Sequence, residues 1–278
     1  MKKLIVLILC ALISFPAFAA EKKESAYDRV MRTNTIRCGY AVAPPWIYKD
    51  DKDGGKLKGF IVDITEEMGK RLNLKIDWAE ETGWDMMGTA LQTGRVDMGC
   101  TVFWQSAARG RIMAFSRPLF YSAVYAYARS DDTRFNNAYD RINQETTKIT
   151  VLDGDVSDEI ARQMFPKATR IPAAALSTPD MMMLNVVTNK ADIVFTENSY
   201  FNTYNKNNPG KIRRVSLASP LRVFGNAYPV YIKDMEMRSM IDTAVAEMMN
   251  SGIIESIMKP YMDSDPGTFL IAQPSYKR

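Results

Sequence analysis

Two hydrophobic periods alternate along this chain, one of 3.6 residues and one of 2, and one block of the pattern occurs twice. From Trp84 the sequence reads WDMMGTALQTGRVDMGCT, and 95 positions later, from Pro179, it reads PDMMMLNVVTNKADIVFT. Asp85 and Asp180 open the copies; Thr93 and Thr188, Asp97 and Asp192, and Thr101 and Thr196 stand at matching places. Each copy predicts an Asp N-cap, a helix with an apolar stripe, a stop at Gly94 or Asn189, and a short apolar strand. Helix, tight turn and strand make half of a parallel α/β unit. Two such units predict two similar lobes with a ligand held between them.

The remaining pattern fills in both halves. A short helix over 26–34 precedes a strand at Ile36–Tyr40, a loop at Ala43-Pro44-Pro45-Trp46 and an exposed hairpin over Asp50–Lys58. Ile61, Ile64, Met68 and Leu72 repeat at helical spacing, and Leu74–Trp78 reads as a strand. Arg109–Pro118 reads as a connecting segment, and Leu119–Arg129 as a strand crossing into the second half. The charged, Asn-rich stretch Ser130–Lys148 reads as surface. A strand at Ile149–Leu152, a turn at Gly154-Asp155, a helix from Ser157 and a strand at Ala168–Ile171 follow. After the second cassette come a helix from Ser199, a break at Asn207–Gly210, and a β-prone return at Val223–Ile232. Helices over Ser239–Met249 and Gly252–Met262 close the chain. Two short crossings between two lobes make a hinge.

Composition narrows the function. Lys2 and Lys3, the apolar run Leu4–Ile13 and Ala17-Phe18-Ala19 predict an export leader over 1–19, cleaved near Ala19/Ala20. That predicts an exported, soluble mature protein of 278 − 19 = 259 residues. Losing the two lysines lowers the formal charge from +4 to +2, too little to predict binding to nucleic acid or a membrane surface. Cys38 and Cys100 sit in apolar strands and read first as buried thiols; an oxidising compartment permits a disulfide if the strands are neighbours. The chain has no histidine, which removes the usual general base and the commonest metal ligand. Ser-His and Cys-His nucleophile schemes are excluded. Met86-Met87 and Met181-Met182-Met183 lie mid-helix at core spacing, so packing rather than soft-metal ligation is expected. No cofactor or metal is called for.

From Ile36 to Ser116 the chain resembles the family 3 periplasmic solute-binding proteins, the amino-acid receptors of ABC importers. Ile36-Arg37-Cys38-Gly39, Pro45-Trp46 and Gly59-Phe60-Ile61-Val62-Asp63 stand where members carry LRVG, PF and GFDVD. Trp84 with Ala90-Leu91-Gln92-Thr93-Gly94-Arg95-Val96-Asp97, then Ser106 and Arg109 before Phe115-Ser116, continue the series in order. Gly252-Ile253-Ile254 with Ile257 and Lys259 resembles the family's closing helix. The resemblance implies a type II periplasmic binding protein: two doubly wound α/β lobes joined by a two-strand hinge. Lobe 1 would comprise 20–124 and 225–278, and lobe 2 would comprise 125–224. A monomer is expected, with a small-molecule solute and a membrane ABC permease as partners.

The resemblance also implies roles. Arg109 would grip the ligand's α-carboxylate with its fork of donors, helped by the Ser106 hydroxyl. Glu197 stands where members usually carry the Asp that binds the α-ammonium. Trp84, Trp46 and, at the end of the first strand, Tyr40 would wall the pocket. Three departures alter it. Trp104 replaces small residues near Ser106, Asp155 stands where a Thr or Ser usually meets the carboxylate, and Glu197 replaces the shorter Asp. A cationic or aromatic ligand side chain would suit such a pocket better than an acidic one.

The expected function is therefore capture of an amino acid or related small polar solute for an ABC importer, without catalysis. Two other functions share the fold: a secreted cyclohexadienyl-type dehydratase, which needs a general acid such as Asp155, Asp158 or Glu159 near the Gly154 turn, and a non-transport sensor or accessory protein.

Overall fold

The computed structural model describes residues 24–153, 155–174, 177–216, 220–262 and 269–271. The expected leader, with its processing site, and Gly154 lie outside these residues. The first half runs α1 (Ala26–Thr33), β1 (Thr35–Tyr40), β2 (Tyr48–Asp50), β3 (Lys56–Lys58), α2 (Phe60–Leu72), β4 (Lys75–Glu81), α3 (Met87–Thr93), β5 (Met98–Gly99), β6 (Phe103–Trp104) and β7 (Met113–Phe115). The second runs β8 (Phe120–Arg129), β9 (Lys148–Val151), α4 (Val156–Met164), β10 (Thr169–Pro172), α5 (Pro179–Val187), β11 (Ile193–Glu197), α6 (Asn198–Asn207), β12 (Ile212–Arg214) and β13 (Arg222–Ala227). β14 (Pro229–Tyr231), α7 (Met235–Asn250), α8 (Ile253–Met258) and β15 (Phe269–Ile271) complete the chain.

Among the described residues, β4-β1-β5-β14-β7 form one sheet and β10-β9-β11-β8-β13-β6 the other, with β12 and β15 also paired to β8. In each sheet the cassette strand pairs in parallel with its α/β neighbour: β5 with β1, and β11 with β9. Both sheets are covered on both faces. Along β8 and β11, Val124, Ala126, Ala128, Ile193 and Phe195 pack in one core with Val156 and Ile160 of α4. Their alternating neighbours Tyr127 and Val194 pack with Met183 and Val186 of α5 on the other face. That is the period-two consequence of a sheet buried on both sides. In the first half, α3 packs Met87, Ala90 and Leu91 against Phe103 and Met113, while α2 buries Ile61, Ile64 and Met68 with Ile36 and Cys38. The molecule thus has two doubly wound α/β lobes. β8 carries the chain from one to the other, and β13 returns it. Ser116 and Tyr228 pin the crossings together: the Ser116 N–H donates to the Tyr228 carbonyl at 3.0 Å, and the Tyr228 N–H to the Ser116 hydroxyl at 3.1 Å.

The cassettes share more than their sequence pattern. Asp97 accepts the backbone N–H of Arg37 at 2.6 Å and pairs with the guanidinium groups of Arg29 and Arg37. Asp192 accepts the backbone N–H of Lys148 at 2.9 Å and pairs with Arg129 and Arg134. In both lobes this aspartate locks the cassette strand to the start of the neighbouring strand.

Several expectations need correction. Neither cassette Asp is an N-cap. Met86 occupies that place in α3, and in α5 the Thr178 hydroxyl accepts the Met181 N–H at 3.3 Å. Pro179 fits the first helical position because it has no N–H to satisfy, so α5 starts upstream of Asp180. Ser130–Lys148 is not all surface: two 3₁₀ turns, Thr133–Phe135 and Tyr139–Ile142, bury Phe135 and Ile142. Arg109–Pro118 contains a strand, β7. Cys38 and Cys100 are joined in a disulfide, their Cα atoms 5.2 Å apart, because β1 and β5 are adjacent and pair Cys38 with Met98. The sequence showed no sign of β15, yet its Phe269 is buried against Trp46, Phe60 and Phe120.

Candidate functional site

The ends of the strands converge on a small cavity between the lobes, about 60 Å³ in volume, enough for only a few waters at roughly 15 Å³ each. Open α/β sheets bind ligands outside the carboxyl ends of their strands. Trp46, Trp84, Val102, Trp104 and Arg109 approach from one side; Leu152, Asp155, Met182, Phe195 and Tyr200 approach from the other.

Local structure fixes each wall. Trp46, 2% exposed, follows a cis Pro44-Pro45 peptide and packs on Phe60, Phe120 and Tyr200. Its carbonyl accepts the Ile61 N–H at 3.2 Å. Gly59, at φ +125°, makes this approach possible, since a Cβ there would lie 2.2 Å from the Trp46 carbonyl oxygen. Trp84 meets Phe103 edge-on at 5.0 Å. Trp104 stacks flat on Phe224 at 5.3 Å.

Arg109 lies on a 3₁₀ turn between β6 and β7 and is 5% exposed. Ser106 precedes that turn, its hydroxyl accepting the Arg109 N–H at 3.3 Å. The guanidinium sits over the Phe103 ring at 5.0 Å and donates to the Trp104 carbonyl at 3.2 Å. It also donates to Asp155 Oδ2 at 2.9 Å. Asp155 in turn caps α4, its Oδ1 accepting the Ser157 N–H at 2.9 Å. A carboxylate from the second lobe therefore already takes one arm, Nη2, of the cleft arginine.

Glu197 and Tyr40 are placed elsewhere. Glu197 is fully buried and does not line the cavity. One oxygen accepts from Trp104 Nε1 at 2.5 Å and from the Ser122 hydroxyl; the other accepts from Ser199 at 3.2 Å. Ser122 also accepts from Asn226 Nδ2 at 2.8 Å. Burial pushes the Glu197 carboxyl up to about 7, against the pull of its three hydroxyl and indole donors. Tyr40 meets Trp78 edge-on at 5.8 Å and lines a separate groove in the first lobe with Tyr48 and Tyr261. Trp46, Trp84, Trp104, Arg109 and Asp155 thus share the cavity. Ser106 supports it from its turn, while Glu197 and Tyr40 stand apart. Sequence reasoning missed Tyr200, Phe195 and Met182. Phe195 and Met182 belong to the second cassette, and strand and helix termini facing a cleft were the available signal; Tyr200 carries no motif.

Met87 and Met183 are fully buried and Met182 nearly so, whereas Met86 and Met181 are exposed. Among the described residues no group of His, Cys, Asp and Glu could hold a metal ion, and no helix is long and apolar enough to cross a membrane.

Two lobes on two crossings, with an aromatic cleft and one buried arginine at their meeting, define a bilobal solute-binding protein. The chain belongs to the bacterial extracellular solute-binding proteins, family 3, whose pattern it matches over residues 36–264. It is 22% identical over 276 residues to the probable amino-acid-binding protein YxeM of Bacillus subtilis (strain 168), covering 95% of this chain and 97% of that one. Its fold is similar to that of the cysteine-binding protein from Campylobacter jejuni, with a TM-score of 0.76 at 16% identity over 89% of this chain and 99% of the other. It is also similar, at a TM-score of 0.73 and 21% identity over 85% and 99% of the two chains, to an ancestral amino-acid-binding protein described as a precursor of cyclohexadienyl dehydratase.

Proposed function

We propose that this protein is a periplasmic receptor that captures an amino acid or related small polar solute between its lobes and delivers it to an ABC importer. Arg109 holds the solute's carboxylate and Ser106 fixes the turn that presents it. Trp46, Trp84 and Trp104 wall the cleft; the lobes comprise 20–124 with 225–278, and 125–224. The observation that carries this function is the buried Arg109 guanidinium on the cavity wall, which already donates to a carboxylate, that of Asp155, at 2.9 Å. Relatives named as amino-acid-binding proteins and as an amino-acid ABC transporter-binding protein support it.

Catalysis is not part of the proposal. Asp155 is ion-paired, and Asp158 pairs with Arg162 at 2.7 Å and Arg170 at 3.4 Å. Glu159 accepts from Gln163. Among the described residues, each of the three acids weighed for that role already has a partner.

A thermal-shift screen with the twenty amino acids tests the function. A ligand at 100 times its Kd adds about 2.7 kcal/mol, which raises the Tm of a protein this size by several degrees. Arg109→Ala, checked for folding by circular dichroism, should abolish that rise for every carboxylated solute. Turnover of a prephenate-like acid, or stabilisation that survives Arg109→Ala, would overturn the proposal.

A further inference from the structure

The Arg109–Asp155 contact does more than display the arginine's preference. It places one positive and one negative charge in the cavity wall, each satisfied by the other, and among the described lining residues no third charge stands beside them. The side chains are 6% and 18% exposed, so neither can be stripped of its partner and simply rehydrated. A carboxylated ligand that takes the Nη2 arm of Arg109 displaces Asp155, and it then leaves Asp155 facing a dry cleft unless it brings a cation of its own. A bare amine meets the mirror-image difficulty at Arg109. Only a solute carrying both charges can enter the pair and leave every charge matched.

The surroundings then describe the rest of the solute. Trp46, Trp84, Trp104, Phe195, Met182 and Tyr200 surround the pair with apolar and aromatic surface. Glu197, off the cavity wall, spends both oxygens on Trp104, Ser122 and Ser199. Trp46 also keeps a buried Nε1–H for which the described residues supply no acceptor, a donor suited to a ligand oxygen.

Resting on the receptor function proposed above, we infer that Asp155 is the specificity-determining residue of this cleft: it competes with the solute's carboxylate for Arg109 and, once displaced, receives the solute's ammonium. The cleft therefore selects a zwitterion of zero net charge with an apolar or aromatic side chain. Glutamate and aspartate add an anion with no partner, and lysine and arginine add an unmatched cation. This inference departs from the expectation of a cationic side chain, because Asp155 is paired with Arg109 and Glu197 does not line the cavity.

Calorimetry with five probes tests the inference: L-phenylalanine, 3-phenylpropionate (the same body without the ammonium), phenethylamine (without the carboxylate), L-glutamate and L-arginine. Wild-type protein should bind phenylalanine at least about tenfold more tightly than each of the others, since an unmatched polar group in a dry site is strongly penalised. Asp155→Asn keeps the cap on α4, because Asn caps as well as Asp, and leaves Arg109 without a competing anion. In that variant 3-phenylpropionate should gain at least about tenfold and phenylalanine should lose, reversing their order. Equal binding of phenylalanine and 3-phenylpropionate by the wild type would overturn the inference, as would an unchanged order in Asp155→Asn. Preference for glutamate or arginine would overturn it while leaving the receptor function standing. Failure of every amino acid to bind would remove both.

Discussion

Replacing Glu197 by Gln should make the protein more stable at alkaline pH and flatten a pH dependence that the wild type shows. The carboxyl is fully buried and its folded-state pKa is about 7, against an ordinary value of 4.5. Between these values the folded protein holds a proton that the unfolded chain has released, so stability falls as pH rises through the window. The contribution is fully present below about 4.5 and gone above about 7. At 1.36 kcal/mol per pH unit it totals about 3 kcal/mol, most of it lost between pH 5 and pH 8. Gln should keep the network closed: its Oε1 still accepts from Trp104 and Ser122, while its Nε2 donates to the Ser199 hydroxyl, which reverses its role. Urea unfolding of both proteins at pH 5 and pH 8 isolates the effect, because every other titrating group cancels in the difference. The stability of the variant relative to wild type should rise by about 2–3 kcal/mol from pH 5 to pH 8. A difference that stays constant, or moves the other way, would show that Glu197 is ionised in the fold and that its three donors outweigh its burial.

Two further substitutions probe the first lobe. Opening the Cys38–Cys100 disulfide, by reduction or by Cys→Ser at both positions, releases a loop spanning 62 positions and should cost about 4 kcal/mol in the chain-entropy treatment, read as a lower urea midpoint; no change on reduction would mean the two strands hold without it. Gly59→Ala should cost about 2–3 kcal/mol and weaken solute binding, because the new methyl collides with the Trp46 carbonyl. Gly210→Ala, at φ +70° with nothing within 4 Å, should cost only about 1 kcal/mol; equal losses at the two positions would refute the steric argument.

The cassettes were legible because each repeats a local rule. An apolar stripe, a residue able to turn left-handed and a short apolar run suffice to predict helix, turn and strand, and Gly94 and Asn189 take positive φ as that demands. Helix starts were less legible, since Thr178-Pro179 and Asp180 are all plausible starts and only the fold chooses. The disulfide depended on β1 and β5 being neighbours, a fact of topology. β15 is three residues of no distinctive pattern, stabilised by pairing and by the rings beneath Phe269. At the site, the family resemblance could name Arg109 and Asp155, which are 46 positions apart, but could not show that they touch. A carboxylate at the end of a strand looks the same in sequence whether it faces a cleft or, like Glu197, a buried serine and an indole.

The two cassettes also show how one scaffold separates stability from recognition. Asp97 and Asp192 do the same work in both lobes, tying a strand to its neighbour through a backbone N–H and two arginines. The closing threonines diverge. Thr101 gives its hydroxyl to the Ala41 backbone, accepting the N–H at 2.8 Å and donating to the carbonyl at 3.2 Å, whereas Thr196 lines the cavity. Its neighbours Phe195 and Glu197 share the opposite face of β11, Phe195 stacked on Phe165 at 5.4 Å and Glu197 buried against Trp104. Of two second-lobe carboxylates, Glu197 thus lies off the cavity wall and Asp155, from a different strand-to-helix turn, lies on it. A single substitution at either position therefore cannot restore the arrangement implied by the family resemblance, since each acid is matched to the donors around it.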